Sequence, residues 1–233
     1  PAWVEEAVGP NTRALLINTP NNPTGAVLRA DVIEGLADIC RRHDLWLICD
    51  EVYAALTFDA PHVSPSSLAG MADRAVTISS LAKSHAMTGW RLGFLAGPKP
   101  LAQAINAVQS HSTSNATSFA QKGAVAALNG PQDHLDDWLA KFDERRRYAA
   151  ERLNNMPGIS CINSKGAFYL FPNMAETGLK SAEFCERLLD QAKVAAVPGI
   201  AFGADNNFRI SYATSMENIQ TGMARLEDFC KTL

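Results

Sequence analysis

Residues 75–97 read AVTISSLAKSHAMTGWRLGFLAG, and this stretch decides the fold. Its first five residues, AVTIS, form a short β-branched apolar run of the kind that makes a buried strand. Hydroxyl residues and Lys83 follow, and a second apolar run, RLGFLA at 91–96, closes on Gly97 and Pro98. Two similar runs lie upstream: ALLIN at 14–18, followed by a Pro/Asn/Gly turn through Gly25, and WLIC at 46–49. Between those two, residues 31–43 carry Val32, Leu36 and Ile39 at helical spacing. Short apolar strands separated by helical segments predict an α/β fold, a mostly parallel sheet with helices on both faces. In such sheets ligands bind beyond the carboxyl ends of the strands. Asn18, Asp50 and Ser79 fall at or just past those ends.

Downstream the pattern changes. Residues 101–110, 118–128 and 133–154 read as helices, and the last ends before the stop signal Pro157–Gly158. The remainder mixes strands at 159–162, 167–171 and 208–212 with helices at 181–192 and 216–231, the pattern of a smaller α+β unit. With no repeat and no low-complexity linker, the long helix is expected to join a large domain over 1–140 to a small C-terminal domain over 141–233.

Bulk composition narrows the function classes. The 233 residues are 47% hydrophobic and 19% charged, the balance of a globular protein. A formal net charge of -3 without a basic run gives no general attraction to nucleic acid or anionic lipid. No apolar stretch approaches the ~20 residues that span a bilayer. Cys40, Cys49, Cys161, Cys185 and Cys230 are scattered, odd in number and without CxxC spacing, which suits reduced thiols in a cytoplasm. The five histidines show no metal-ligand spacing.

The chemistry-bearing residues each have an ordinary reading and a functional one. Lys83 is either a solvated lysine or an amine nucleophile placed just beyond a strand end. Asp50 follows the apolar run WLIC, where a poorly hydrated carboxylate needs hydrogen-bond donors or a cationic partner; it also suits a helix N-cap. Asn22 is a turn former or a polar contact, and Tyr53 a core ring or a hydroxyl donor. The planar fork of Arg91 or Arg209 suits a phosphate or a carboxylate, and also a surface ion pair.

Four islands decide between these readings: NTPNNPTG at 18–25, CDEVY at 49–53, SSLAKSHAMTGWRLG at 79–93 and FRISYA at 208–213. In this order, with an arginine eight residues after the lysine, the chain resembles the class I/II pyridoxal-phosphate-dependent aminotransferases, the aspartate aminotransferase superfamily of fold type I. The resemblance runs from the first strand to the last helix. It implies pyridoxal 5′-phosphate as cofactor, with Lys83 as its Schiff-base lysine and the carrier of the substrate α-proton. It assigns Asp50 to the pyridine nitrogen, Tyr53 and Asn22 to the ring hydroxyl O3′, and Ser80 and Arg91 to the phosphate. Arg209, together with Asn22, is assigned to the substrate carboxylate. Gly89 lets backbone pass close to the cofactor, and the segment 197–203 borders the substrate entrance or packs as plain loop. Where the family has proline before Gly-Ala-Phe-Tyr, this chain has Ser164 and Lys165 ahead of Gly166. His85, two residues after Lys83, has no catalytic counterpart in the family.

The implied reaction moves an amino group from an amino acid to a 2-oxo acid, with aspartate or a broad range of donors. A homodimer in the cytoplasm is the implied setting, with no nucleic-acid or membrane partner. Two alternatives share the motifs: a pyridoxal-phosphate lyase on the same fold, and the aminotransferase-like effector domain of a transcription regulator. Family members also carry a long segment upstream of NNPTG with further cofactor contacts. The chain is therefore expected to be the C-terminal portion of such an enzyme, with exposed sheet edges and weak or absent cofactor binding on its own.

Overall fold

A computed structural model describes residues 1–233, which pack as two compact units. Unit 1 comprises residues 1–20 and 27–135, and unit 2 comprises 21–26 and 136–233. The expected division at residue 140 leaves NNPTG wholly in the large domain, whereas Asn21–Ala26 packs with unit 2.

Unit 1 is built on a four-stranded sheet of β1 (Ala14–Asn18), β2 (Trp46–Asp50), β3 (Ala75–Ser80) and β4 (Gly93–Ala96), in that spatial order. The first three run parallel and β4 pairs antiparallel with β3. A short helix α1 (Ala2–Ala7) precedes β1, and α2 (Ala30–Arg42) links β1 to β2. The apolar residues of α2 recur three and four apart, so one stripe of the helix faces the sheet. That stripe buries Leu36, Ala37, Ile39 and Cys40 against Leu47, Met71 and Ala75, with Leu15 and Ile17 alongside. Each fully buried aliphatic side chain of this kind contributes about 1.5–3 kcal/mol.

Strand register sorts the remaining residues. Asn18 pairs with Asp50 and Asp50 with Ile78, so these side chains share a face with Leu16 and Ile48. On that face Leu16 is 69% exposed and Ile78 41% exposed. The one-turn helix α3 (Leu81–Ser84) starts directly at the end of β3 and carries Lys83. Helices α4 (Lys99–Ser112) and α5 (Ser118–Asn129) complete the unit.

Unit 2 takes most of the long helix α6 (His134–Asn154), followed by β5 (Tyr169–Leu170), α7 (Ser181–Arg187), β6 (Val197–Pro198), β7 (Phe208–Ser211) and α8 (Met216–Cys230). Its three strands form an antiparallel sheet in the order β5-β7-β6. The core is aromatic. Phe184 packs on Phe208 at 4.9 Å and on Phe229 at 5.4 Å between ring centres, with Leu188, Met223 and Leu226 buried around them.

Two expected elements differ. The helix expected over 181–192 changes to π-helical winding at Leu188–Ala192 and stops at Lys193, which is left-handed. The strand expected at 159–162 does not form: Ser160 makes one isolated bridge to Asn173, and Ile162 is 90% exposed. Asn154 explains the loss. Its side-chain amide donates to Cys161 O at 2.9 Å and accepts from Cys161 N at 2.8 Å, taking both backbone groups that a ladder would have used.

Candidate active site

Within unit 1, the polar residues gather at the carboxyl ends of β1, β2 and β3. Asn18 Nδ2 donates to the carbonyl of Asp50 at 3.1 Å, and the Thr19 amide donates to the same oxygen at 3.1 Å. Asp50 is half-buried, and its Oδ1 accepts from the Val52 amide at 3.1 Å. It does not cap a long helix; the chain turns instead toward Tyr53, which is buried. Lys83 Nζ lies 5.8 Å from the centre of the Tyr53 ring. So the amine and the phenol ring are neighbours, although thirty positions separate them in the sequence.

Ser80 is the N-cap of α3. Its Oγ accepts from the Ala82 amide at 3.0 Å and donates to Leu92 O at 2.7 Å. A serine there fixes the turn that presents Lys83 three residues later. Between Lys83 and β4 the backbone is strained: Ala86 and Arg91 both have positive φ, 50° and 52°. Non-glycine residues rarely hold that conformation, and it concentrates at ligand-binding sites. Arg91 is exposed and spends Nη1 on Thr88 O at 3.0 Å. A Cβ built on Gly89 would meet nothing within 4 Å, so packing within the chain does not require glycine there. His85 pairs its Nδ1 with Ser84 Oγ at 2.9 Å, and its ring stands 5.0 Å from that of His134.

The donor set suits pyridoxal phosphate. A half-buried carboxylate with one backbone donor on Oδ1 is ready for a cationic N–H, an exposed guanidinium for a phosphate, and an amine beside an aromatic ring for an aldehyde. For Ser80 to contact a phosphate, its hydroxyl proton has to turn from Leu92 O toward the anion, because a phosphate dianion offers only acceptors.

Unit 2 holds the other two residues. Arg209 on β7 donates from Nη1 to Asn22 Oδ1 at 2.8 Å. The guanidinium carbon sits 4.6 Å from the Tyr169 ring centre and 5.2 Å from that of Phe202, so two aromatic faces steady the cation. Asn22 belongs to a tight turn in which Asn21 N donates to Ala26 O at 2.8 Å and Gly25 N to Asn21 O at 2.8 Å. Gly25 O in turn accepts from the amides of Lys165 and Gly166 at 3.0 and 2.9 Å. Val197 pairs with Arg209 in the sheet, which puts the segment 197–203 beside the arginine. Sequence reading did not single out Glu51, which is buried next to Asp50 and bonded to His62, Ser64 and Thr77. An acidic residue directly after a buried strand was the available signal.

Comparison with known proteins came down on one family. The model for aminotransferase class I and II matches residues 3–226. The chain is 41% identical to the aspartate aminotransferase of Geobacillus stearothermophilus, over 98% of its own length and 60% of that protein. It is 42% identical to aromatic-amino-acid aminotransferase 2 of Thermococcus litoralis, again over 98% of this chain and 60% of the relative. Among solved structures, the aromatic aminotransferase of Pyrococcus horikoshii superposes with a TM-score of 0.95 at 41% identity, covering 99% of this chain and 63% of that one. The chain thus spans about 60% of the length of the relatives it matches.

Proposed function

The chain belongs to the class I and II aminotransferase family, and from that premise we propose that the protein moves an amino group from an amino acid to a 2-oxo acid with pyridoxal 5′-phosphate. The observation that carries this reading is the approach of Lys83 Nζ to the Tyr53 ring at the strand ends where Asp50 and Ser80 also sit. When bound, pyridoxal phosphate supplies an aldehyde carbon and a protonated ring that accepts electron density.

The chain's own residues do the rest. Asp50 holds the ring nitrogen and keeps it protonated, since a carboxylate partner favours the cation. Tyr53 donates to the ring hydroxyl oxygen. Asn22 commits Oδ1 to Arg209, which makes its amide NH2 the group that donates to an oxygen. Arg91 and Ser80 grip the phosphate. Lys83 Nζ moves the proton at the substrate α-carbon, which is general acid–base catalysis by a positioned amine. Arg209 receives the substrate carboxylate through its planar fork, and Tyr169 and Phe202 keep that fork from turning.

Aspartate and aromatic amino acids are the donors to try first, because relatives bearing both names are about equally similar. We also place the reaction in the cytoplasm and in a homodimer. The first is supported by five free, buried cysteines and the second by family likeness. No helix is long and apolar enough to cross a membrane.

A donor and acceptor panel, followed by detection of the new amino acid, tests the reaction. Borohydride reduction and peptide mapping test the lysine. With the upstream segment expected above in place, the expected result is transfer that Lys83→Ala abolishes, with the reduced cofactor attached to Lys83. Attachment elsewhere, or full activity in Lys83→Ala, overturns the reading.

A further inference from the structure

Beneath the end of β2 lies a second polar cluster. Side chains alternate along a strand, so Cys49 and Glu51 project to the face opposite Asp50. Glu51 is only 5% exposed, yet its carboxylate is well supplied with donors. Oε2 takes His62 Nε2 at 2.8 Å, and Oε1 takes Ser64 Oγ at 2.7 Å and Thr77 Oγ1 at 3.1 Å. Ser66 Oγ links the same hydroxyls, 2.9 Å from Ser64 and 3.2 Å from Thr77. A carboxylate only accepts, so the bonded nitrogen of His62 carries its proton. The His62 side chain is 10% exposed.

Burial alone would raise the proton affinity of Glu51. The hydrogen bonds from His62 and Ser64 outweigh it and hold the group below the ordinary glutamate value. A charge is therefore kept in the interior, where an apolar filling of the same shape would serve stability as well. Its position suggests what it is for. Glu51 is the single residue between Asp50 and Val52, and the Val52 amide is the donor to Asp50 Oδ1. The Glu51 amide is itself pinned to Ile78 O at 2.8 Å. Fixing Glu51 at both its amide and its carboxylate fixes the peptide that carries the Val52 N–H. That N–H sets the direction of the Asp50 carboxylate.

We propose that Glu51, anchored by His62, is a positioning residue for Asp50, aiming its carboxylate at the ring nitrogen of the cofactor. The proposal rests on the cofactor reading above. It separates two roles that an activity assay would merge: holding the fold and orienting one carboxylate toward one nitrogen.

Two aldehydes distinguish them. One is pyridoxal 5′-phosphate; the other is its carbocyclic analogue, with CH in place of the ring nitrogen and the hydroxyl, aldehyde and phosphate retained. Affinities are measured by equilibrium dialysis on the unsubstituted protein and on Glu51→Gln, His62→Leu and His62→Gln, after thermal melts show that each is folded. Glu51→Gln and His62→Leu are expected to weaken pyridoxal phosphate about tenfold, the scale of a compromised charge-assisted hydrogen bond, and to leave the analogue unchanged. His62→Gln, which keeps a donor, should recover most of the loss. If Glu51→Gln does not fold, Ser64→Ala tests the same selectivity with a smaller amplitude. Equal weakening of both aldehydes, or of neither, overturns the positioning role while leaving the cofactor reading intact. All forms are compared with the upstream segment expected above in place, and failure of the unsubstituted protein in that form to bind either aldehyde overturns the cofactor reading, and the proposal with it.

Discussion

Arg209 Nη1 and Asn22 Oδ1 meet at 2.8 Å across 187 positions of sequence, and both belong to unit 2. The turn that carries Asn22 therefore serves the arginine of β7. The hydrogen bond, with the two rings beside it, leaves the guanidinium little freedom to turn.

Arg209→Lys tests that arrangement. A lysine keeps the charge but loses the planar fork and most of the contact with Tyr169 and Phe202. The Michaelis constant for the amino acid should rise about tenfold or more, the scale of a lost charge-assisted hydrogen bond. Affinity for pyridoxal phosphate, measured by dialysis, should fall less, through loss of the bond that orients Asn22.

Gly25→Ala should destabilise the protein by about 2 kcal/mol, because the substitution fails on two counts. The residue has φ +65°, and an added Cβ would clash with Ser164 Cβ and stand 2.8 Å from Gly166 O. Urea unfolding followed by fluorescence would measure the loss.

Ser80→Ala removes the cap of α3 and is expected to cost about 1 kcal/mol. It should also weaken pyridoxal phosphate more than pyridoxal, since only the former has a phosphate for Ser80 to contact. Dialysis against the two ligands separates these effects.

Glu51 gives stability a defined pH dependence. Burial opposes its ionisation, but the bonds from His62 and Ser64 hold its pKa below the ordinary 4.5. With the folded-state pKa depressed, the contribution is complete above the unfolded value and is lost as pH falls through the lower folded value. Between about pH 6 and pH 3 the melting temperature of the unsubstituted protein should therefore fall further than that of Glu51→Gln.

Much of this was legible in the sequence, and the limits have physical causes. The strands of unit 1 were visible because parallel strands are written as continuous apolar runs, as in ALLIN and WLIC, although ALLIN lies at the sheet edge with Leu16 exposed rather than buried. Asp50 and Lys83 stood just past the ends of such runs and Arg91 at the start of the next, positions that the motif pattern marked out. What local pattern could not reveal was decided by distant partners. Cys161 looked like strand until Asn154 claimed its amide and carbonyl. Gly25 looked like an ordinary turn glycine, yet its carbonyl holds two amides 140 residues onward. The histidine spacing gave His62 no role, because nothing nearby in sequence announces that its ring nitrogen donates to Glu51.

The bonds at Gly25 also bear on modularity. A gene cut after residue 135 would encode most of unit 2 as one continuous piece, yet that piece would lack Asn21–Ala26. The amides of Lys165 and Gly166 would lose their shared acceptor, and Arg209 would lose Asn22. A short stretch near the start of the chain is thus a non-transferable part of the second unit. Recombination between family members that exchanges only the later segment would have to find a partner whose early turn already fits.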